Sequence, residues 1–319
     1  MGRVVLVTGV SRDIGGWFAR RISEHPDVDR VIGVDAAAPR RDLGAVHVVQ
    51  ADIRKPVMAD VLAAEVVDTV VHLGVLAPPD AQGRPAQAKD VNVIAAMQLL
   101  AACQQAAAVE RLVVQSSDSV YGASPRDPAM FTEDMTARRL PLSGFAKDCV
   151  EVEEHVRGFV RRRPDVAVTT LRCASLIGPA IETPLTRYFS LAVVPTVLGH
   201  DARLQFCHER DAVRALEHAV LTGTAGTFNV AGDGVVMLSQ ALRRAGRPPL
   251  PLPRTALSVL GASLPPLRGV DMSADSVAFL TYGRGIDTTR MRSVLGFEPE
   301  YSSAGAFDAF VPRLEHARR

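Results

Sequence analysis

Short runs of apolar and β-branched residues alternate along the chain with longer stretches whose apolar positions recur at helical spacing. Residues 4–7, 31–34, 46–49, 69–72, 112–115 and 166–171 read as strands. Unbroken apolar runs of this kind are buried on both faces, as in a parallel sheet. Residues 16–24, 91–108 and 145–162 read as the helices that carry the chain back between parallel strands. The alternation predicts an α/β fold with a Rossmann-type doubly wound parallel sheet. After Gly178-Pro179 the pattern loses its regularity, and residues 247–266 are rich in proline and leucine, so a smaller C-terminal lobe is expected there. Residues 206–230 again read as helix then strand. The expected division is 1–178 with 204–232 returning to it, and 179–203 with 233–319 as the smaller lobe.

Composition narrows the function classes. Thirty-six basic residues against thirty-five acidic ones leave a net charge of +1, so nucleic acid is not an expected partner. The one basic run, Arg161-Arg162-Arg163, stands just before Pro164, where positive charge suits the end of a helix. Cys103, Cys149, Cys173 and Cys207 have no paired spacing, which predicts buried reduced thiols and neither a metal site nor a disulfide framework. The run 4–7 is too short for a signal-peptide core or a membrane span. A cytoplasmic protein with no membrane partner is expected, and 319 residues are enough to bury a large core.

The N-terminal segment carries the first chemistry. Thr8-Gly9-Val10-Ser11-Arg12-Asp13-Ile14-Gly15-Gly16 lies between a strand and a helix, where backbone N–H groups and a helix N-terminus can hold a pyrophosphate. One common spacing places glycines where this chain has Arg12 and Asp13, and an ordinary strand-to-helix turn also uses glycine. Asp35 ends the second strand about twenty residues beyond the loop, the place of a carboxylate that accepts from ribose hydroxyls. It also repels a 2′-phosphate, which favours NAD over NADP, whereas Arg12, Arg40 and Arg41 pull the other way. Asp52-Ile53 follows another strand and could meet the adenine amino group, with a turn or a helix cap as the alternative. The three elements together predict a bound dinucleotide.

These residues resemble the extended short-chain dehydrogenase/reductase family and, within it, the NAD-dependent epimerase/dehydratase proteins typified by UDP-glucose 4-epimerase. The resemblance spans nearly the whole chain. It takes in the Thr8-Gly9 loop, Asp35, Asp52-Ile53, His72-Leu73-Gly74, Asn92, Ser116-Ser117-Asp118-Ser119-Val120-Tyr121-Gly122 and Lys147-Asp148-Cys149-Val150-Glu151. Leu171-Arg172, Gly178-Pro179, Phe206-Cys207-His208-Glu209-Arg210-Asp211, Asp287-Thr288-Thr289-Arg290 and Leu295-Gly296-Phe297 extend it to the end. It implies cofactor contacts from Gly9, Ser11, Arg12, Asp13, Ile14, Gly15, Asp35, Asp52, Ile53, Leu73, Gly74, Val75, Asn92 and Lys147. It also implies a homodimer through helices like 91–108 and 145–162, and a substrate site in the smaller lobe.

In that family a serine, a tyrosine and a lysine four residues after the tyrosine carry the chemistry. The resemblance makes Ser117 the hydrogen-bonding serine, and Lys147 the lysine that holds the nicotinamide ribose and favours the phenolate. The tyrosine is replaced: Ser143 stands four residues before Lys147, and Tyr121, Tyr188, Tyr282 and Tyr301 all lie elsewhere. A serine hydroxyl is a far weaker acid than a phenol and shorter by a ring. Ser175 stands where the family has asparagine, and Cys173 where it has an aromatic residue. Leu204 holds the slot of the arginine that grips a sugar-nucleotide diphosphate, with Arg203 one residue away and so on the opposite face of an extended segment.

Each residue also has a plainer reading. Ser116, Asp118 and Ser119 could all make turn hydrogen bonds, and most helical lysines are solvated. Asp118 is a candidate substitute acid or a loop cap. His208 has no second ligand at metal spacing and is expected to be structural, with Asp211 capping or starting a helix that runs to Leu221. Two functions remain. One is an NAD(P)-binding epimerase/dehydratase-like enzyme, a nucleotide-sugar epimerase or an oxidoreductase of another hydroxyl or keto compound, with an altered Ser-Tyr-Lys site. The other is a non-catalytic NAD(H)-binding sensor or scaffold.

Overall fold

The computed structural model describes residues 2–73, 90–141, 144–260 and 270–316. Gly74, Val75 and Ser143 lie outside the described residues. The chain alternates β1 (Arg3–Thr8), α1 (Asp13–Ser23), β2 (Val28–Asp35), β3 (His47–Gln50), α2 (Val57–Ala64), β4 (Thr69–His72), α3 (Ala95–Gln105), β5 (Arg111–Ser117), α4 (Gly144–Arg162) and β6 (Ala167–Cys173). Then follow β7 (Ser175–Ile177), α5 (Pro184–Ser190), β8 (Val194–Val197), β9 (Arg203–Leu204), β10 (Phe206–His208), α6 (Glu209–Thr222) and β11 (Gly226–Val230). The last elements are β12 (Val236–Met237), α7 (Leu238–Arg244), β13 (Pro249–Leu252), α8 (Arg254–Leu260), α9 (Ala274–Tyr282) and α10 (Ser303–His316).

Seven strands form one parallel sheet in the order β11-β6-β5-β4-β1-β2-β3. The order reverses between β1 and β4, so the crevice for a ligand opens at their carboxyl ends. Thr8 of β1 lies beside both Val34 of β2 and His72 of β4, which brings Gly9, Asp35 and Leu73 to that crevice. The expected return of the chain to the sheet is β11, paired with β6. A first hydrophobic cluster surrounds this sheet, and a second gathers around Tyr188, Phe189, Phe206, Phe307 and Phe310. In the second, Phe189 and Phe307 meet edge to face at 4.9 Å.

Several boundaries differ from the sequence expectation, each for a local reason. The third strand begins at His47 and the sixth runs on to Cys173. Helix α1 starts at Asp13, ahead of the expected 16, because Gly15 and Gly16 form its first turn. Glycine is a poor helix former, yet here a side chain is excluded: a Cβ on Gly15 would collide with the carbonyl of Gly9. The expected helix 91–108 opens as a π-helical turn, Asp90–Ile94, and α3 ends at Gln105. Arg163 ends it by donating to the carbonyls of Cys103 at 2.9 Å, Ala106 at 3.2 Å and Val109 at 3.1 Å. The basic run is therefore split between the last turn of α4 and the cap of α3. Asp211 neither caps nor starts α6. His208 is the N-cap, accepting from Arg210 N at 3.2 Å, while Asp211 takes the backbone N–H groups of Glu300 and Tyr301.

Candidate active site

The loop after β1 is shaped by two close approaches. Gly9 has φ of +79°, and a Cβ there would sit 3.3 Å from the Leu73 carbonyl oxygen. Thr8 locks the other side: its hydroxyl accepts from Leu73 N at 3.2 Å and shares a hydrogen bond with His72 Nδ1 at 2.9 Å. Burial, and then the nearby charge of Arg12, lower the His72 pKa to about 4, so the ring is neutral. Its Nε2 is buried with no partner among the described residues.

Asp35 ties the loop to the second strand. Its Oδ2 accepts from Ser11 N at 3.0 Å and from Ser11 Oγ at 2.6 Å, and its Oδ1 accepts from Ala37 N at 3.1 Å. Arg12 precedes α1 in an extended conformation, so no glycine is needed at this position. Burial lowers the pKa of its guanidinium and the charge of Asp35 opposes that shift. Its Nη1 is buried with no acceptor among the described residues. Asp13 pairs with Arg41 at 3.5 Å, and Arg41 lies over the Trp17 ring at 5.3 Å. Ile14 is buried against the sheet.

The remaining cofactor candidates fall into two groups. Asp52 is held by Arg54, which donates from Nε at 2.9 Å and from Nη2 at 2.7 Å, and this pairing lowers its pKa. Ile53 packs against the first cluster. Asn92 is fully buried and donates to Asp148 Oδ2 at 3.0 Å, fastening the π-helical turn to the residue after Lys147. Lys147 keeps 43 % of its side chain exposed, with Glu151 Oε1 3.7 Å away.

Ser117 ends β5 and caps the 3-10 turn Asp118–Tyr121 by accepting from Ser119 N at 3.1 Å. Its hydroxyl lies 3.3 Å from Asp118 Oδ1. Asp118 is buried and paired with Arg284 Nη2 at 2.9 Å, a residue the sequence reading had not singled out. That pairing assigns Asp118 to a structural ion pair between β5 and the segment after α9.

All four tyrosines have other work. Tyr121 is buried, donating to Asn229 Oδ1 and accepting from Arg172 Nη1, both at 2.8 Å, and burial pushes its pKa up to about 12. Tyr188 donates to the Pro195 carbonyl at 2.7 Å. Tyr282 accepts from Arg254 at 3.1 Å, and Tyr301 stacks on His208 at 3.7 Å between ring centres. His208 thus combines this stacking with its place as N-cap of α6. None of the four reaches Lys147 among the described residues.

On the substrate side, Leu204 is fully buried in the second cluster. Arg203 emerges on the other face of β9, with Nη2 3.4 Å from the Pro128 carbonyl. Ser175 begins β7, and Cys173 is buried with Gln115 Nε2 4.0 Å from its Sγ. All four cysteines are free and buried, and burial pushes the Cys103 pKa up to about 12. Among the described residues no cluster of three metal-ligating side chains exists, and no helix is long and apolar enough to cross a membrane.

Known proteins resemble this chain over most of its length. An uncharacterized protein of Mycobacterium tuberculosis is 48% identical over 312 residues, covering 97% of this chain and 83% of the relative. A Streptomyces 3-diazoavenalumate denitrifying reductase is 28% identical over 297 residues, covering 90% of this chain and 88% of its own. The UDP-glucuronic acid 4-epimerase of Bacillus cereus, solved with UDP-glucuronic acid and NAD, superposes with a TM-score of 0.72 at 17% identity, covering 98% of this chain and 99% of that one. Residues 5–231, from the first strand to the last strand of the sheet, match one family description throughout, and the chain belongs to the NAD dependent epimerase/dehydratase family.

Proposed function

We propose that the protein binds NAD(H) at the carboxyl ends of β1, β2, β4 and β5 and acts as a nucleotide-sugar epimerase or oxidoreductase. The carrying observation is the buried, partnerless Nη1 of Arg12 beside Asp35, in a loop that Gly9 and Gly15 keep free of side chains. A buried donor without an acceptor costs about 1–3 kcal/mol, and a pyrophosphate over the first turn of α1 supplies the acceptor. The residues present therefore fit a dinucleotide. Asp35 is the ribose ligand, Leu73 and Ile53 flank the rings, and Lys147 donates to the nicotinamide ribose. When bound, the nicotinamide supplies a hydride acceptor or donor. Ser117 then orients a substrate oxygen, having one acceptor lone pair left after Ser119 N. The second hydrophobic cluster is the substrate lobe in this reading. A cytoplasmic location and a homodimer belong to the same proposal, supported by Met97 on α3 and Val160 on α4, which are 46% and 42% exposed.

NAD is preferred over NADP, because Asp35 would face a 2′-phosphate while Arg41 is already engaged by Asp13 and Trp17. Asp35→Ala is expected to weaken NAD binding roughly ten- to a hundredfold in a calorimetric titration, the size of a lost charged hydrogen bond of about 1.5–3 kcal/mol. Unchanged affinity would remove Asp35 from the site. Tighter binding of NADP(H) than of NAD(H) by the native protein, abolished in Arg12→Ala, would reverse the preference.

Lys147→Met keeps the aliphatic stem and removes the donor. It is expected to lower NAD affinity by a similar factor while the Tm of the cofactor-free protein stays nearly unchanged, since the ion pair with Glu151 is half exposed. Equal losses of affinity and stability would make the lysine a structural residue.

A second reading, a binder without turnover, has its own support. Asp118 is committed to Arg284 and Tyr121 to Arg172 and Asn229, so neither is free to take up the role left by Ser143.

A further inference from the structure

Three arginines surround one concavity without an acid to balance them. A cavity of about 450 Å³ is lined by Ser124, Pro125, Arg126, Arg138 and Arg139. Among the described residues none of these guanidinium groups makes a hydrogen bond or ion pair. The neighbouring carboxylate is engaged within its own turn and pairs with none of them: Asp127 accepts from Ser124 N and Ser124 Oγ, each at 2.6 Å. Three like charges around one hollow repel each other, and an anion entering it relieves that repulsion.

The hollow is hung on the turn that carries Ser117. Gly122 closes that turn at φ of +65°, and a Cβ there would sit 2.7 Å from the carbonyl oxygen of Arg139. On its other side the Gly122 carbonyl accepts from Arg284 Nη1 at 2.7 Å, and Arg284 is the partner of Asp118. The arginine pocket and Ser117 are therefore joined through the same turn. Meanwhile the position at which the resemblance expects a diphosphate-gripping arginine is the fully buried Leu204.

We propose that this pocket is an anion subsite, taking a phosphate or carboxylate group of the small-molecule substrate that Ser117 orients. The proposal rests on the reading of the Ser117 cleft as a substrate site. A small molecule is favoured over a macromolecule because the open hollow is of ligand size and because the chain as a whole is nearly neutral.

The test is calorimetry on the full chain saturated with NAD, titrated with UDP, pyrophosphate and glucuronate, in the native protein and in Arg126→Gln/Arg138→Gln/Arg139→Gln. The native protein is expected to bind at least one of these anions, more weakly as salt rises. The triple variant is expected to bind it about tenfold or more weakly, with NAD affinity and Tm unchanged. Binding of UDP and pyrophosphate but not glucuronate identifies phosphate as the anion, and the reverse identifies a carboxylate. Equal anion affinity in both proteins overturns the proposal, as does binding of a poly-glutamate peptide but of none of the small anions. Loss of NAD binding in the native protein would instead sink the cofactor reading, whatever the anions do.

Discussion

Glu153→Gln is expected to destabilise the protein by about 3–5 kcal/mol, the cost of leaving one half of a buried ion pair without its partner. Glu153 on α4 and Arg172 on β6 are 6% and 10% exposed, and Arg172 donates to both carboxylate oxygens, with Nη2 at 2.7 Å and Nε at 3.0 Å. Ser116 Oγ adds a bond to Glu153 at 2.6 Å, and Arg172 Nη1 also reaches the Glu133 carbonyl at 2.9 Å. Burial works against the charge on Arg172, but the bonds and charge of Glu153 outweigh it and raise its pKa further. Glutamine keeps the shape and one acceptor but leaves a charged guanidinium unbalanced beneath β5. The expected loss corresponds to a fall in Tm of about 4–7 °C for a chain of this length. A double variant, Glu153→Leu with Arg172→Met, is expected to recover much of it, since paired apolar replacements of buried ion pairs are often close to neutral. A Glu153→Gln protein within about 1 kcal/mol of the parent would show that water or relaxation already compensates this charge.

This network also marks where the sequence was hard to read. The strands and their parallel arrangement were legible because runs such as 4–7 and 69–72 are rich in apolar and β-branched residues and alternate with helical stretches, whereas their order in the sheet was not. Asp35 was legible because it ends such a run a fixed distance after a glycine loop. Glu153 was not singled out, although a signal existed: it shares the buried stripe of α4 with Cys149, Val152, Val156 and Phe159, where a carboxylate requires a partner. Arg172 gives the same signal from within a buried strand. The pairing of Asp118 with Arg284, 166 residues apart, left no local trace at all. It is decided by tertiary packing, and it gives Asp118 a charged partner that the sequence alone does not show.

Ser143→Tyr is expected to raise interconversion of UDP-glucose and UDP-galactose by about two to four powers of ten over the native protein, the usual worth of a positioned general acid or base. Ser117 is already placed at the end of β5, and Lys147 stands half exposed on α4 next to Asp148, which Asn92 holds in register. The missing element is a phenol four residues before that lysine. Each of the four natural tyrosines is stacked or hydrogen-bonded elsewhere. If no other acid stands in for the phenol, as in the reading of a binder without turnover, the native protein interconverts these sugars at or below detection while binding NAD normally, and the variant turns over with unchanged NAD affinity. Activity confined to the variant would identify the natural chain as a dinucleotide binder held just short of catalysis. Robust turnover in the native protein, lost on Asp118→Asn and kept on Ser143→Ala, would show that Asp118 works as the proton acceptor despite its pairing with Arg284. An inactive variant that still binds NAD would place the block at Leu204, where a buried leucine stands in the slot of a phosphate-gripping arginine and excludes nucleotide sugars before any proton moves.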